Sequence, residues 1–157
     1  MNIGLIIQVR VGSSRLPSKV FKKIGHKTTI KLLIDRLEPL KKILNIVLAT
    51  SDNQQDNKLE EFAKKNKLEF YRGPLEDVLE RFYLCSKKYN FDAIIRVTAD
   101  DPFKDPEVIL KALTIFRNNN YDYVSNTIKP TYPEGIDIEI FSFEALEIAH
   151  REAKLDS

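Results

Sequence analysis

Short apolar runs alternate with amphipathic stretches from one end of this chain to the other. Ile3–Val9 is an apolar run of the kind found in strands covered on both faces. Thr28–Leu37 carries Ile30, Leu33, Ile34 and Leu37 at helical spacing. Ile46–Ala49 predicts a short buried strand. Ser51-Asp52-Asn53-Gln54 has the form of a capping box opening a helix through Leu59, Phe62 and Ala63. Leu68–Tyr71 predicts a third strand, and Pro74–Tyr89 a helix with Val78, Leu79, Phe82 and Tyr83 on its apolar face. Asp92–Val97 predicts a fourth strand. Asp105-Pro106-Glu107 starts a helix with aspartate as cap and proline at the first helical position, and the helix runs to about Asn118. Tyr121–Val124 and Ile136–Phe141 predict further strands, and Ser142 caps a final helix running towards Ala153.

This order predicts an α/β fold, a mostly parallel sheet with helices on both faces. Ligands of such sheets bind at the carboxyl ends of the strands. The loop after the first strand and the loop after the fourth therefore share one rim. A length of 157 residues fits a single domain over 1–157 with a real core. No repeat, low-complexity tract or linker interrupts it. The chain stops directly after a helix, with no closing strand, so it is expected to be the front part of a longer protein.

The loop after the first strand reads Gln8-Val9-Arg10-Val11-Gly12-Ser13-Ser14-Arg15-Leu16-Pro17-Ser18-Lys19. A glycine there lets backbone approach a ligand, Ser13 and Ser14 offer hydroxyl donors, and Arg10, Arg15 and Lys19 supply positive charge. Arginine forks onto phosphate oxygens and lysine acts as a point charge, a mixture suited to a triphosphate. It is neither a Walker A loop nor Gly-x-Gly-x-x-Gly. By spacing alone, a solvated basic loop fits as well as a polyphosphate cradle.

The fourth strand ends in Thr98-Ala99-Asp100-Asp101-Pro102. An aspartate at a buried strand tip sits on the ligand rim, where Mg²⁺ takes one or two carboxylates and completes its shell with water and phosphate oxygens. Asp100 is the expected ligand, and Asp101 is expected to shape the turn before Pro102. Further on, Asp137 and Glu139 are expected to share one face of a strand. They would bind a second metal or sugar hydroxyls, or simply line an exposed strand face.

Composition narrows the remaining classes. A net charge of +2 does not point to nucleic acid, and no basic stripe interleaves with aromatics. No apolar run approaches a membrane span, and no signal peptide is evident. A single cysteine, Cys85, excludes an internal disulfide and fits a reducing cytoplasm. His26 and His150 lie far apart without cysteine partners, which speaks against zinc.

Four motifs in order resemble one family, the cytidylyltransferases that activate acidic sugars, and most closely its SpsF-like branch of spore-coat polysaccharide biosynthesis. Its Gln-Ala-Arg-x-Gly-Ser-x-Arg-Leu-Pro-Gly-Lys appears as Gln8 to Lys19. Its Gly-x-x-x-Asp-Val-Leu-x-Arg-Tyr/Phe-Tyr appears as Gly73 to Tyr83, and its Arg-Ile/Val-Thr-Gly-Asp-x-Pro as Arg96 to Pro102. Its Tyr-Pro-x-Gly-x-Asp-x-Glu-x-Phe appears as Tyr132 to Phe141. The resemblance implies the nucleotide-diphospho-sugar transferase fold, a three-layer α/β/α sandwich. It implies transfer of CMP from CTP to an acidic sugar with release of pyrophosphate, for surface polysaccharide or glycan biosynthesis, with Mg²⁺ as cofactor. A homodimer, no nucleic-acid or membrane partner, and a cytoplasmic location go with it.

By this resemblance Gln8, Arg10, Gly12, Ser13, Arg15, Lys19, Arg72 and Thr98 are expected to hold the nucleotide. Arg15, Lys19 and Asp100 would be catalytic, Asp100 and Asp137 would hold metal, and Asp137 and Glu139 would hold sugar. Ser18 and Ala99 stand where the pattern has glycine, and serine can follow at 18 if the backbone there is not left-handed. Thr98 stands where octulosonate enzymes carry glutamine, which leaves the choice of base less fixed than nucleotide binding. Arg72 fits a surface loop as well as a nucleotide contact. Asp77 and Arg81 are spaced for an intrahelical ion pair, and their place in the family pattern implies a positioning role that is not catalytic. Cys85, Tyr121, Tyr123 and Phe141 read as core, and His26 as a turn residue. A glycosyltransferase of related fold would need an Asp-x-Asp-like motif, which Asp100-Asp101-Pro102 matches poorly. A non-catalytic nucleotide-binding domain is the other reading left open.

Overall fold

The computed structural model describes residues 1–12 and 16–153. Its strands are β1 (Ile3–Gln8), β2 (Lys23–Ile24), β3 (Lys27–Thr28), β4 (Asn45–Ser51), β5 (Glu69–Gly73), β6 (Ala93–Thr98), β7 (Tyr123–Ser125) and β8 (Glu139–Ser142). Its α-helices are α1 (Thr29–Leu37), α2 (Asn57–Lys65), α3 (Val78–Tyr89), α4 (Pro106–Asn118) and α5 (Phe143–Glu152). Six strands form the main sheet in the order β5-β4-β1-β6-β8-β7. β5, β4, β1 and β6 are mutually parallel, and β8 runs antiparallel to both of its neighbours. β2 and β3 form a separate small hairpin that sequence reading did not anticipate.

Alternate residues of β1 feed two cores. Leu5, Ile7 and Val9 pack with Leu33 and Leu37 of α1, Leu59 of α2 and Leu113 of α4. Ile6 packs on the opposite face with Phe82 and Cys85 of α3 and Leu146 of α5. This is the expected three-layer sandwich. Gly4 is needed where it stands, because a Cβ there would lie 2.1 Å from the Phe91 ring. Phe91 thus uses the bare backbone of β1 as its packing surface.

Helix starts mostly follow the expected chemistry. Asp105 caps α4 through the Glu107 amide with Pro106 at the first position, and Ser142 caps α5 through the Ala145 amide. Two starts differ. The Ser51 box does not form. Asn53 instead caps a 3₁₀ turn over Gln54–Asp56, and α2 begins only at Asn57. α3 begins at Val78, later than Pro74, because Asp77 is its cap and accepts from the Glu80 amide.

Cys85 is fully buried, as expected of a core thiol, and burial pushes its pKa up to about 12. Phe141 joins the second core. Tyr121 and Tyr123 do not belong to the core. They are 53% and 45% exposed, because Tyr123 opens the edge strand β7 and Tyr121 lies before it. His26 lies in the turn between β2 and β3 beside Gly25, whose φ of 62° is left-handed.

Candidate active site

The order of the sheet sets where a ligand can sit. From β1 the chain moves to β4 and β5 on one side, then returns to β6 on the other. The strand order therefore reverses between β1 and β6, and a crevice opens at their carboxyl ends. Gln8 and Thr98, the last residues of these strands, are direct register partners there. A cleft of about 470 Å³ occupies this place, lined by Gln8, Arg10, Gly12, Lys19, Thr98 and Asp100, with Leu75, Glu76 and Arg81 among its other walls. A smaller cavity of about 320 Å³ adjoins it and shares Arg10, Gly12 and Leu75. Six of the expected residues, separated by up to 92 positions, thus meet in one concavity. Ser13 and Arg15 lie outside the described residues.

Lys19 opens a 3₁₀ turn, and its Nζ donates to Asp100 Oδ2 at 2.5 Å across the rim. Burial pushes the Asp100 carboxyl up, but the ammonium of Lys19 outweighs it and the net shift is downward. Asp100 is therefore an anion with two ready uses, to hold Lys19 or to hold a hard cation. Asp101 turns away, as expected, and accepts from Thr98 Oγ1 and Lys104 Nζ at 2.9 and 3.0 Å.

The loop between β1 and Lys19 is closed at its neck. The Ser18 amide donates to the Val11 carbonyl, and the Val11 amide donates to a buried carboxylate, Asp56 Oδ1, at 2.7 Å. Ser18 has φ 54° and ψ 28°, so the backbone is left-handed where the family pattern places glycine, contrary to the condition on which serine was expected to follow. Gly12 is not required by its protein neighbours, since a Cβ there would meet only Gln55 Oε1 at 3.6 Å.

Three expectations change. Arg72 does not line the cleft. Its guanidinium donates to the carbonyls of Ser51 and Asn53 and to Asn57 Oδ1. Asp137 and Glu139 do not share a strand face, because β8 begins only at Glu139. Glu139 is spent on Arg96 Nη1 at 2.6 Å and on the Tyr123 hydroxyl at 2.8 Å. Asp137 is absent from the lining of the cleft, and its carbonyl accepts from the buried ammonium of Lys104 at 2.7 Å. Asp77 and Arg81 form no ion pair. Arg81 is 1% exposed and donates to the carbonyls of Pro74 and Leu75 at 3.0 and 2.9 Å. Burial lowers its pKa, yet a guanidinium stays charged.

Asp56 and Lys104 were missed as site residues, and the burial of Arg81 was missed although the family pattern implies a positioning role for it. A signal existed for Arg81, since Val78, Arg81, Phe82 and Cys85 lie at helical spacing and place it within an apolar stripe.

The donor set tests the fit to magnesium. Among the described residues no group of three or more metal-ligating side chains exists. Asp100 alone on the rim suits a cation whose other ligands are phosphate oxygens and water, and it does not suit a cage made of protein.

The family model described as cytidylyltransferase matches residues 5–157. An uncharacterised protein of Methanocaldococcus jannaschii is 40% identical over 156 residues, covering 98% of this chain and 62% of its own length. The spore coat polysaccharide biosynthesis protein SpsF of Bacillus subtilis is 33% identical, covering 96% of this chain and 67% of its own. Among solved structures, a cytidylyltransferase from Leptospira borgpetersenii superposes with a TM-score of 0.94 at 34% identity, covering 99% of this chain and 66% of that one. The chain thus spans about two thirds of the length of these relatives.

Proposed function

The chain belongs to the cytidylyltransferase family, and on that premise we propose that it transfers CMP from CTP to a hydroxyl of an acidic sugar and releases pyrophosphate. The observation that carries this reading is the meeting of Lys19 and Asp100, 81 positions apart, on the crevice where the strand order reverses. The spore-coat name of a relative supports a place in surface polysaccharide or glycan biosynthesis. The motifs support an acidic acceptor. A cytoplasmic enzyme acting as a homodimer completes the reading.

In this reading the triphosphate lies along the rim. Arg10 and Lys19 face its oxygens, and Gln8 and Thr98 form the floor beneath the nucleoside. A sugar oxygen attacks the α-phosphorus in line and pyrophosphate departs with added charge. Cations fixed along the phosphates stabilise that charge as it grows. Asp100 would hold Mg²⁺, which when bound neutralises phosphate charge. The protein has little covalent work to do, and the reading needs no covalent intermediate on a side chain. Lys19 leaves Asp100 when the nucleotide arrives, so the ion pair holds both groups in place until ligand and cation separate them.

Pyrophosphate release from CTP with a panel of acidic sugars tests the proposal. Release that depends on the sugar supports it. Release of a nucleoside diphosphate from a nucleotide sugar would replace it with a glycosyltransferase. Calorimetric CTP binding without any turnover would leave a binding domain.

A further inference from the structure

We propose that Asp56 is the positioning residue for the phosphate-facing loop, a role that rests on the nucleotide reading of the cleft above. Asp56 stands immediately before α2, where an aspartate ordinarily accepts from the first helical amides. Here its side chain makes no capping bond. The carboxylate turns instead into the protein, where Asp56 is 1% exposed. Oδ1 accepts from the Val11 amide at 2.7 Å. Oδ2 accepts from Thr50 Oγ1 at 2.8 Å, from the Ser51 amide at 3.3 Å and from Ser51 Oγ.

The chemistry of this arrangement is specific. Every contact to the carboxylate is a donor, on both oxygens. An amide in its place would present one oxygen and turn an NH₂ group towards donors. Burying a carboxylate is costly unless such bonds replace its water. Among the described residues Asp56 forms no salt bridge that would otherwise account for its burial.

The bond to Val11 falls at the neck of the loop. Val11 also accepts from the Ser18 amide, so one residue ties both ends of the loop to the tip of β4. Arg10 precedes that neck and Lys19 follows it directly. Holding Val11 therefore fixes the separation of the two cations that face the phosphates. Arg72 braces the same tip through the Ser51 and Asn53 carbonyls.

Loss of the anchor acts on phosphate recognition more than on the nucleoside. The test is calorimetric titration of the full chain with CTP and with CMP in magnesium buffer, for wild type and Asp56→Asn, beside thermal melts. A displaced neck weakens CTP and spares CMP, and the CTP-to-CMP affinity ratio falls by roughly tenfold. A residue that only supports the fold lowers both affinities together. An unchanged ratio in Asp56→Asn, with wild type binding CTP, overturns the inference and leaves the enzyme reading intact. No CTP binding by wild type overturns the enzyme reading itself. If Asp56→Asn does not fold, Asp56→Glu keeps the charge and shifts the carboxylate by one methylene, which displaces its bond to the Val11 amide. A smaller fall in the same ratio, of roughly threefold, is then expected, and an unchanged ratio again overturns the inference.

Discussion

Replacing Arg81 separates what the structure shows from what the spacing of its helix suggests. If Arg81 paired with Asp77 on the surface of α3, its loss would cost a few tenths of a kcal/mol, as exposed helical pairs do. The structure puts it elsewhere. Its stem lies on the bare backbone of Gly73, where a Cβ would come within 2.9 Å of its Cγ. Its head donates to the Pro74 and Leu75 carbonyls. Hydrogen bonds to a charged group are worth roughly 1.5–3 kcal/mol each. Methionine keeps the stem and loses both bonds. Water reaches the freed carbonyls from the cleft, so the lower end applies and Arg81→Met costs about 3 kcal/mol. For a chain of this size that lowers the melting temperature by roughly 6–12 °C. Differential scanning calorimetry reads it directly. Asp77→Ala removes only a cap and costs about 1 kcal/mol. Gly73→Ala must push the Arg81 stem aside, and it should destabilise in the same direction as Arg81→Met. A melting temperature for Arg81→Met within a degree or so of wild type, or no greater loss than Asp77→Ala, would refute the reasoning.

The remaining predictions concern single groups. Lys19→Met and Arg15→Ala should each lower turnover by roughly a hundredfold or more in a pyrophosphate-release assay, and unchanged turnover removes that residue from the mechanism. Ser18→Gly should raise the melting temperature, because glycine adopts the left-handed backbone there at about 1 kcal/mol less strain; a lower melting temperature would show that the hydroxyl matters more than the strain. Cys85 should stay unreactive to a thiol reagent at pH 8 in the native protein and react on unfolding, given its burial and its pKa near 12. Hydrogen bonds from Lys27, then Lys31, hold the Asp35 carboxyl below its ordinary value. Its stabilising effect is therefore present above the unfolded carboxylate range and disappears as pH falls through the lower folded value. Asp35→Asn should cost about 0.5 kcal/mol at pH 7 and nothing in strong acid, as followed by urea melts at both pH values.

The layered sheet was legible because its signal is periodic and local. Ile3–Val9 and Asp92–Val97 are apolar for the same reason that they lie between two helical layers, and the reversal of strand order puts their ends side by side. Composition at those ends marked Arg10, Lys19 and Asp100 as a group, and the three line one cleft. What the spacing could not show was direction. Asp137 and Glu139 look like a same-face pair only if the strand begins before Asp137, and it begins at Glu139. Tyr123 looks like core until it is known that its strand is the edge. Arg72 carries a phosphate-binding side chain, yet the Ser51 and Asn53 carbonyls at the end of β4 take it first. Asp56 lies in the polar run Asp52–Asn57, which reads as surface because nothing local reveals that the neck of a distant loop needs an acceptor.

The buried charges explain why the rim holds its shape. Among the described residues, Asp56, Arg81 and Lys104 are the buried charged ones, at 1%, 1% and 2% exposure, and all three lie at the carboxyl ends of the strands. Each is bonded to backbone. Asp56 takes the Val11 amide, Arg81 the carbonyls of Pro74 and Leu75, and Lys104 the carbonyl of Asp137. The segments so held are the loop after β1, the turn after β5 and the approach to β8. All three lie outside the strands, and loops of this kind open locally at low free energy. A buried charge is a costly way to stabilise a core, since apolar residues of the same volume often do better. It is an effective way to fix backbone, because a charged group forms strong bonds and its desolvation penalises every alternative position. The cost therefore falls where, in the proposed function, a triphosphate would meet its cations at set distances, and the apolar layers beneath supply the stability that offsets it.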